Sequence, residues 1–189
     1  IISASVFPQN QEYRTPGEKV ILSCKAPVGS KVTVKINGKS YSMRLSSKDP
    51  KTPGLYEGTF TYSYTIPSFT GIPRNIDLGA PVYTMNYKGT VKTGKAPAKI
   101  GVIMKDSPFY ARIRNKVAYT YNAPSSSKGA VYELYSGMVD NITGMTGNYA
   151  RLSLGQWISK NDIEIYSSKT RQTPMIKSVD YTIGDWWDA

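Results

Sequence analysis

Catalysis near neutral pH needs side chains that exchange protons or hold metals, and this chain is poor in both. It has no histidine and a single cysteine, Cys24, among its 189 residues. Zinc centres built on imidazole or on several thiolates are therefore excluded. Ser-His-Asp and Cys-His nucleophiles are excluded too, because both need an imidazole base. Cys24 lies in the apolar run KVILSCK and reads as a small buried hydrophobe. Asp140, Asp162 and Glu164 are the carboxylates a glycosidase pair would draw on. Asp162 and Glu164 fall together on one polar strand face, with no sign of the burial that raises a general acid. No catalytic residue, metal or cofactor is expected.

The residue types that remain are those of binding. Tyr119, Tyr121, Tyr132, Tyr135 and Tyr149 are candidates for an aromatic groove, since tyrosine offers flat contact area and a hydroxyl at low entropic cost. Strand alternation sends half of each strand inward, so some of the five must be core. Trp157 serves either as a stacking platform for a sugar or stem peptide or as a seal over the core. Arg112 and Arg114 share one face of a short extended segment, YARIR, where they could clamp a carboxylate or phosphate. In the first half Lys31, Lys35 and Lys39 flank one hairpin, and Lys88, Lys92, Lys95 and Lys99 form a second basic run. If the two groups meet they make a patch for an anionic polymer. If they do not, they are separate solubilising edges.

The charge is unevenly spread. The formal net charge is +11, and residues 1–104 hold 14 Lys/Arg against 5 Asp/Glu, while residues 105–168 hold 7 against 5. The basic half would attract polyanions such as nucleic acid, anionic lipid or phosphate-rich wall polymers. Equally, scattered lysines keep a β-protein soluble and guard its edge strands. No run approaches eighteen apolar residues, so no membrane span is expected.

The elements that must position these residues are strands. Tyr is abundant (15 residues) and Gly and Pro together number 28, which suits strands joined by turns. Val20, Leu22 and Cys24 alternate with Ile21, Ser23 and Lys25 and make one face apolar. Val32, Val34 and Ile36 do the same before Asn37-Gly38, a pair suited to the positive φ angles of a type I′ hairpin turn. Residues 46–55 read as a turn-rich loop. Tyr56 to Ile66 is a long alternating strand, residues 67–81 a loop, and 82–87, 89–93 and 99–104 further strands. This spacing predicts an all-β chain whose residues 1–104 form an immunoglobulin-like sandwich. A boundary is expected at Lys105-Asp106-Ser107-Pro108. Residues 169–189 read as a linker and the first strand of a further domain beyond Ala189, and the start, IISASVF, as a mature or excised end.

Within Gly137–Tyr166, Val139–Ile142 reads as a strand, residues 143–148 as a Gly-bearing loop and Tyr149–Leu154 as the return strand. Gly155-Gln156-Trp157-Ile158-Ser159-Lys160-Asn161-Asp162-Ile163 then makes a tight turn into a last strand. This resembles the bacterial SH3 pattern, in which a tyrosine-initiated strand ends in Gly and is followed by Trp-Ile, a short turn and a final apolar strand. With a sandwich ahead of it, the arrangement is similar to the non-catalytic region of Gram-positive N-acetylmuramoyl-L-alanine amidases and related wall proteins. The resemblance implies an SH3-like barrel over 105–168. It also implies an extracellular, wall-associated and non-enzymatic module that places a separate hydrolase on peptidoglycan or wall teichoic acid. Binding of PxxP peptides is not expected, since the Ala-Leu-Tyr-Asp motif and acidic loop are missing. Two other readings stand beside it: a nucleic-acid-binding β-barrel pair, against which the low charge of the second half counts, and a surface adaptor or spacer.

Overall fold

The computed structural model describes residues 5–52, 55–71, 76–104 and 109–167. The chain divides into two compact units, one ending at Val102 and the other beginning at Ile103 for its main segment.

Among the described residues ten strands build the first unit: β1 (Glu12–Arg14), β2 (Lys19–Pro27), β3 (Lys31–Ile36), β4 (Lys39–Ser42), β5 (Arg44–Thr52), β6 (Leu55–Thr65), β7 (Ile76–Asp77), β8 (Val82–Tyr87), β9 (Thr90–Lys95) and β10 (Ile100–Val102). They form a three-stranded sheet in the order β2-β6-β5 and a four-stranded sheet in the order β4-β3-β8-β9. β1 runs parallel to β10, which takes β7 antiparallel. The unit is a β-sandwich, and its two sheets follow the immunoglobulin strand order. Period-2 patterning explains why: Val20, Leu22 and Cys24 on β2, with Phe60 and Tyr64 on β6, are buried, as are Val32, Val34 and Ile36 on β3 and Tyr83 and Met85 on β8. Each such side chain contributes about 1.5–3 kcal/mol on burial. The sheets meet through rings as well: Tyr41 of β4 stacks on Tyr62 at 4.6 Å and meets Tyr64 edge-on at 5.9 Å.

Tyr83 is fully buried, and its hydroxyl donates to the Phe7 carbonyl at 2.5 Å, so the ring's one polar atom is satisfied. Burial pushes its ionisation well above the ordinary tyrosine range. Cys24 is buried and free, with its thiol pushed up to about 11 by desolvation, which leaves it inert as a nucleophile.

Within the expected loop 67–81 lies β7 (Ile76–Asp77), paired with β10, and the structure departs from expectation at two further places in this unit. Residues 46–52 belong to β5, an edge strand that pairs with β6 through register shifts at Leu45/Ser47 and Pro50/Thr52. A proline-bearing edge strand needs no donor on its open side, which is why turn-like residues can still pair there. The second departure is the β8–β9 connection. It is a two-residue turn at Lys88-Gly89, with φ of 48° and 85°, as tight as the Asn37-Gly38 turn with 49° and 77°. The Asn86 side chain accepts from the Gly89 N–H at 3.1 Å and helps to hold the turn.

Among the described residues seven strands build the second unit: β11 (Phe109–Ile113), β12 (Val117–Tyr121), β13 (Tyr132–Tyr135), β14 (Val139–Thr146), β15 (Tyr149–Leu152), β16 (Trp157–Ser159) and β17 (Ile163–Tyr166), with a 3-10 turn at Lys160–Asp162 between the last two. Their order is β13-β12-β16-β15-β14-β11-β17, every pair antiparallel. The interior is lined by Ala111, Ile113, Ala118, Thr120, Ile142, Ala150, Leu152, Ile158 and Ile163.

The expected SH3-like barrel is corrected here. Among the described residues the end strands β13 and β17 do not pair with each other, so the sheet stays open. The β12–β13 hairpin attaches beside β16 and occupies the edge along which closure would run. The fold is all-β with mixed sheets and no barrel, and the likeness to wall amidases loses the element that carried it. Residues 143–146, expected in a loop, continue β14 past a register shift at Ile142/Gly144 to a turn at Gly147-Asn148. The expected boundary residues 105–108 and the strand expected within 176–189 lie outside the described residues.

Candidate functional site

In the second unit the ladder registers bring most of the predicted aromatic residues to one sheet face. Tyr121 pairs with Trp157, and Trp157 with Arg151, so these three share a face. Tyr119 lies two residues before Tyr121 and Tyr149 two before Arg151, which puts both on that same face. Tyr135 pairs with Val117, itself two residues before Tyr119, and joins them. The opposite face holds buried Ala118, Thr120, Ala150 and Ile158, so the ring-bearing face is the solvent side. Tyr119 is 43% exposed and Tyr135 40% exposed, while Tyr121 and Tyr149 are half-buried.

Trp157 lies at the centre of this row and is 9% exposed. The Arg151 guanidinium sits 5.5 Å from its ring, a cation–π arrangement. Arg151 is held there by Thr143, whose Oγ1 accepts from Nε at 3.0 Å and whose carbonyl accepts from Nη2 at 2.9 Å. Trp157 therefore seals the sheet while its neighbours remain accessible. Glu133, opposite Tyr119, accepts from the Tyr135 hydroxyl at 3.1 Å. That bond is the main reason Tyr135 ionises above the usual tyrosine value, followed by desolvation and the negative charge of Glu133. Tyr132 departs from the set: it pairs with buried Thr120 and lies on the other side of the hairpin.

Arg112 and Arg114 do not form a free clamp. Arg112 sits opposite Glu164 in the β11–β17 ladder, and Glu164 accepts from the Tyr166 hydroxyl. Arg114 donates from Nη2 to the Ile163 carbonyl at 3.0 Å, which braces the 3-10 turn. Asp140 is also structural: it accepts from the Ser153 hydroxyl at 2.8 Å, from the Ser153 N–H at 3.2 Å and from the Asn141 N–H at 2.7 Å. Burial nonetheless raises its carboxyl, outweighing those bonds.

In the first unit the seven predicted lysines are sorted by register. Lys35 pairs with Val82, and Val82 with Lys95, so Lys35 and Lys95 share the outward face of the four-stranded sheet, with Lys31 further along β3. Lys39 pairs with Ile36 and Lys92 with Met85, both inward residues, so these two lysines belong to the opposite face at the sheet's edges. Lys88 occupies the β8–β9 turn, 5.2 Å from the Tyr87 ring. Lys99 pairs with Asp77 at 3.2 Å. Pattern alone could not make this division, because it depends on which strands are neighbours.

Among the described residues no group of three or more His, Cys, Asp or Glu is placed to hold a metal, and no helix is long and apolar enough to cross a membrane. No family model matches the chain, and no curated protein matches it. Among solved structures it is similar to a chimeric titin Z1Z2-Z1Z2 tandem functionalised with a GRGDS peptide from fibronectin, with 11% identity and a TM-score of 0.28 over 82% of this chain and 94% of that one. At that TM-score the likeness carries no argument for the fold or the function, and nothing in it supports the amidase or bacterial SH3 resemblance.

Proposed function

We propose that this chain is a non-catalytic binding module that works outside the cell and holds a wall polymer, peptidoglycan being the ligand of its second unit. The observation that supports this is the solvent-side row of Tyr135, Tyr119, Tyr121 and Tyr149 around the sealed Trp157. Flat rings stack on the apolar faces of sugars, and their hydroxyls meet sugar hydroxyls or peptide groups, so such a row suits a glycan strand with peptide stems. Absence of histidine and the inert, buried Cys24 argue for holding over cutting.

The test is co-sedimentation of the full chain with purified sacculi stripped of teichoic acid. Tyr119→Ala with Tyr135→Ala should abolish pelleting and leave the circular dichroism spectrum unchanged. Wild-type protein that stays in the supernatant would sink the reading and leave a spacer or adaptor.

A further inference from the structure

The outward face of the four-stranded sheet in the first unit differs in chemistry from the aromatic row. Its cross-strand rows read Ser40–Lys35–Val82–Lys95, then Ser42–Thr33–Thr84–Thr93, then Lys31–Asn86–Val91. Cationic side chains thus border a continuous row of four hydroxyls. None of the four strands, KVTVKI, KSYS, VYTMNY and TVKTGK, contains a carboxylate. The other sheet is different: there Lys25 of β2 pairs with Asp49 of β5 at 3.9 Å, and Glu57 sits opposite Pro27. Strand spacing places the Lys35 and Lys95 backbones about 10 Å apart, and Lys31 about 13 Å from Lys35 along its strand.

From this arrangement we infer that the face is a separate binding surface for a phosphodiester polymer of sugars or polyols, read by Lys31, Lys35 and Lys95 on its phosphates and by Thr33, Ser42, Thr84 and Thr93 on its hydroxyls. Charge complementarity selects a polyanion. The face has no aromatic side chain, so it has no platform on which nucleobases could stack, and a single-stranded nucleic acid would lose that main source of affinity. The hydroxyl row instead matches a ligand whose units between phosphates are themselves polar and hydroxylated. This deepens the binding-module reading and rests on it for the polymer's source. The two fail separately, because they use different units and different probes.

The experiment is titration of the full chain with a soluble poly(glycerol phosphate) chain at several salt concentrations. Three phosphate contacts predict a fall in affinity of roughly 20-fold between 50 and 200 mM salt. Lys35→Gln with Lys95→Gln removes two contacts, so the fall should shrink to roughly 3-fold and binding at low salt should weaken. Lys39→Gln with Lys92→Gln removes the same charge from the opposite face and should leave the titration unchanged. Equal losses in the two double variants would overturn the proposal in favour of the chain's diffuse field. Single-stranded DNA, or vesicles of anionic lipid, bound as tightly as the polymer and with the same sensitivity to Lys35 and Lys95 would overturn the assigned ligand class. Sacculus binding lost in the tyrosine variants alone would bear on the second unit and leave this face standing.

Discussion

The two units place some of their rings differently. In the first, Phe60, Tyr64 and Tyr83 are buried and the sheets close around them. In the second, no described tyrosine is buried, and alanines and branched aliphatics such as Ala111, Ala118, Ala150, Ile142, Ile158 and Ile163 share the interior with Met138, Met145 and Trp157. Trp157 is buried under Arg151, while the tyrosines around it stay on the solvent side. The cross-strand partner marks the difference. Tyr83 faces Val34 and Tyr64 faces Val20, whereas Tyr119 faces Glu133 and Tyr149 faces Ser159. Phe60, Tyr64 and Tyr83 therefore report stability in the first unit, and Tyr119 and Tyr135 an available surface in the second.

The sharpest way to break this comparison is to truncate one ring in each unit. Phe60→Ala should cost about 3–5 kcal/mol in urea unfolding, while Tyr119→Ala should change stability by no more than about 0.5 kcal/mol. Similar costs at the two sites would erase the distinction. Next in size is Gly58→Ala. A Cβ at this position would run into the Leu45 side chain and come within 3.2 Å of Val28 Cγ2. Overpacking of the first unit's core should destabilise it by about 1–3 kcal/mol, visible as a lower melting temperature.

A smaller effect separates the units by pH. Desolvation raises the folded-state pKa of Asp140, so the native state holds this proton more tightly than the unfolded chain does. The stability this group contributes is then complete below its unfolded value and declines as pH rises through the folded one, that is from about pH 4 upward. Asp140→Asn should flatten the melting temperature of the second unit over that range. An unchanged profile would mean that Asp140 is not the group responsible. The smallest expected effect is a gain: Lys88 adopts a φ of 48° that asparagine tolerates better. Lys88→Asn should stabilise the β8–β9 hairpin by about 0.5 kcal/mol, read in the first unit's unfolding midpoint.

Local patterning made the strands of the first unit legible, because one buried face repeats every second residue from Val20 to Cys24 and from Val32 to Ile36. Asn37-Gly38 announced its own turn by residue type. Lys88-Gly89 did not, since only its backbone conformation reveals it. β5 was hidden by Ser, Pro and Asp residues that an edge position tolerates. In the second unit the strand positions around Trp157 were readable, but the neighbours of β12 and β13 were not. Whether a sheet closes depends on that non-local pairing. The tyrosine set was legible as a list of candidates, and Tyr132 could be separated from the others only once Thr120 was known to lie opposite it. Arg151 was missed altogether, although an arginine two residues after a strand-opening tyrosine is on that tyrosine's face, which is a usable signal.

The pairing of β1 with β10 has a mechanical consequence. These strands are parallel, with Glu12 beside Ile100, Tyr13 beside Gly101 and Arg14 beside Val102, and the Tyr13 ring fills the space where Gly101 has no side chain. They are the first and last strands of their unit, so tension along the polypeptide pulls on the leading end of β1 and the trailing end of β10. The load then runs along the strands, and the hydrogen bonds between them share it in shear; they must fail together instead of opening one after another like a zipper. Resistance of this kind is a property of the unfolding rate. A pull applied along β1 and β10 is therefore resisted by three paired residues at once.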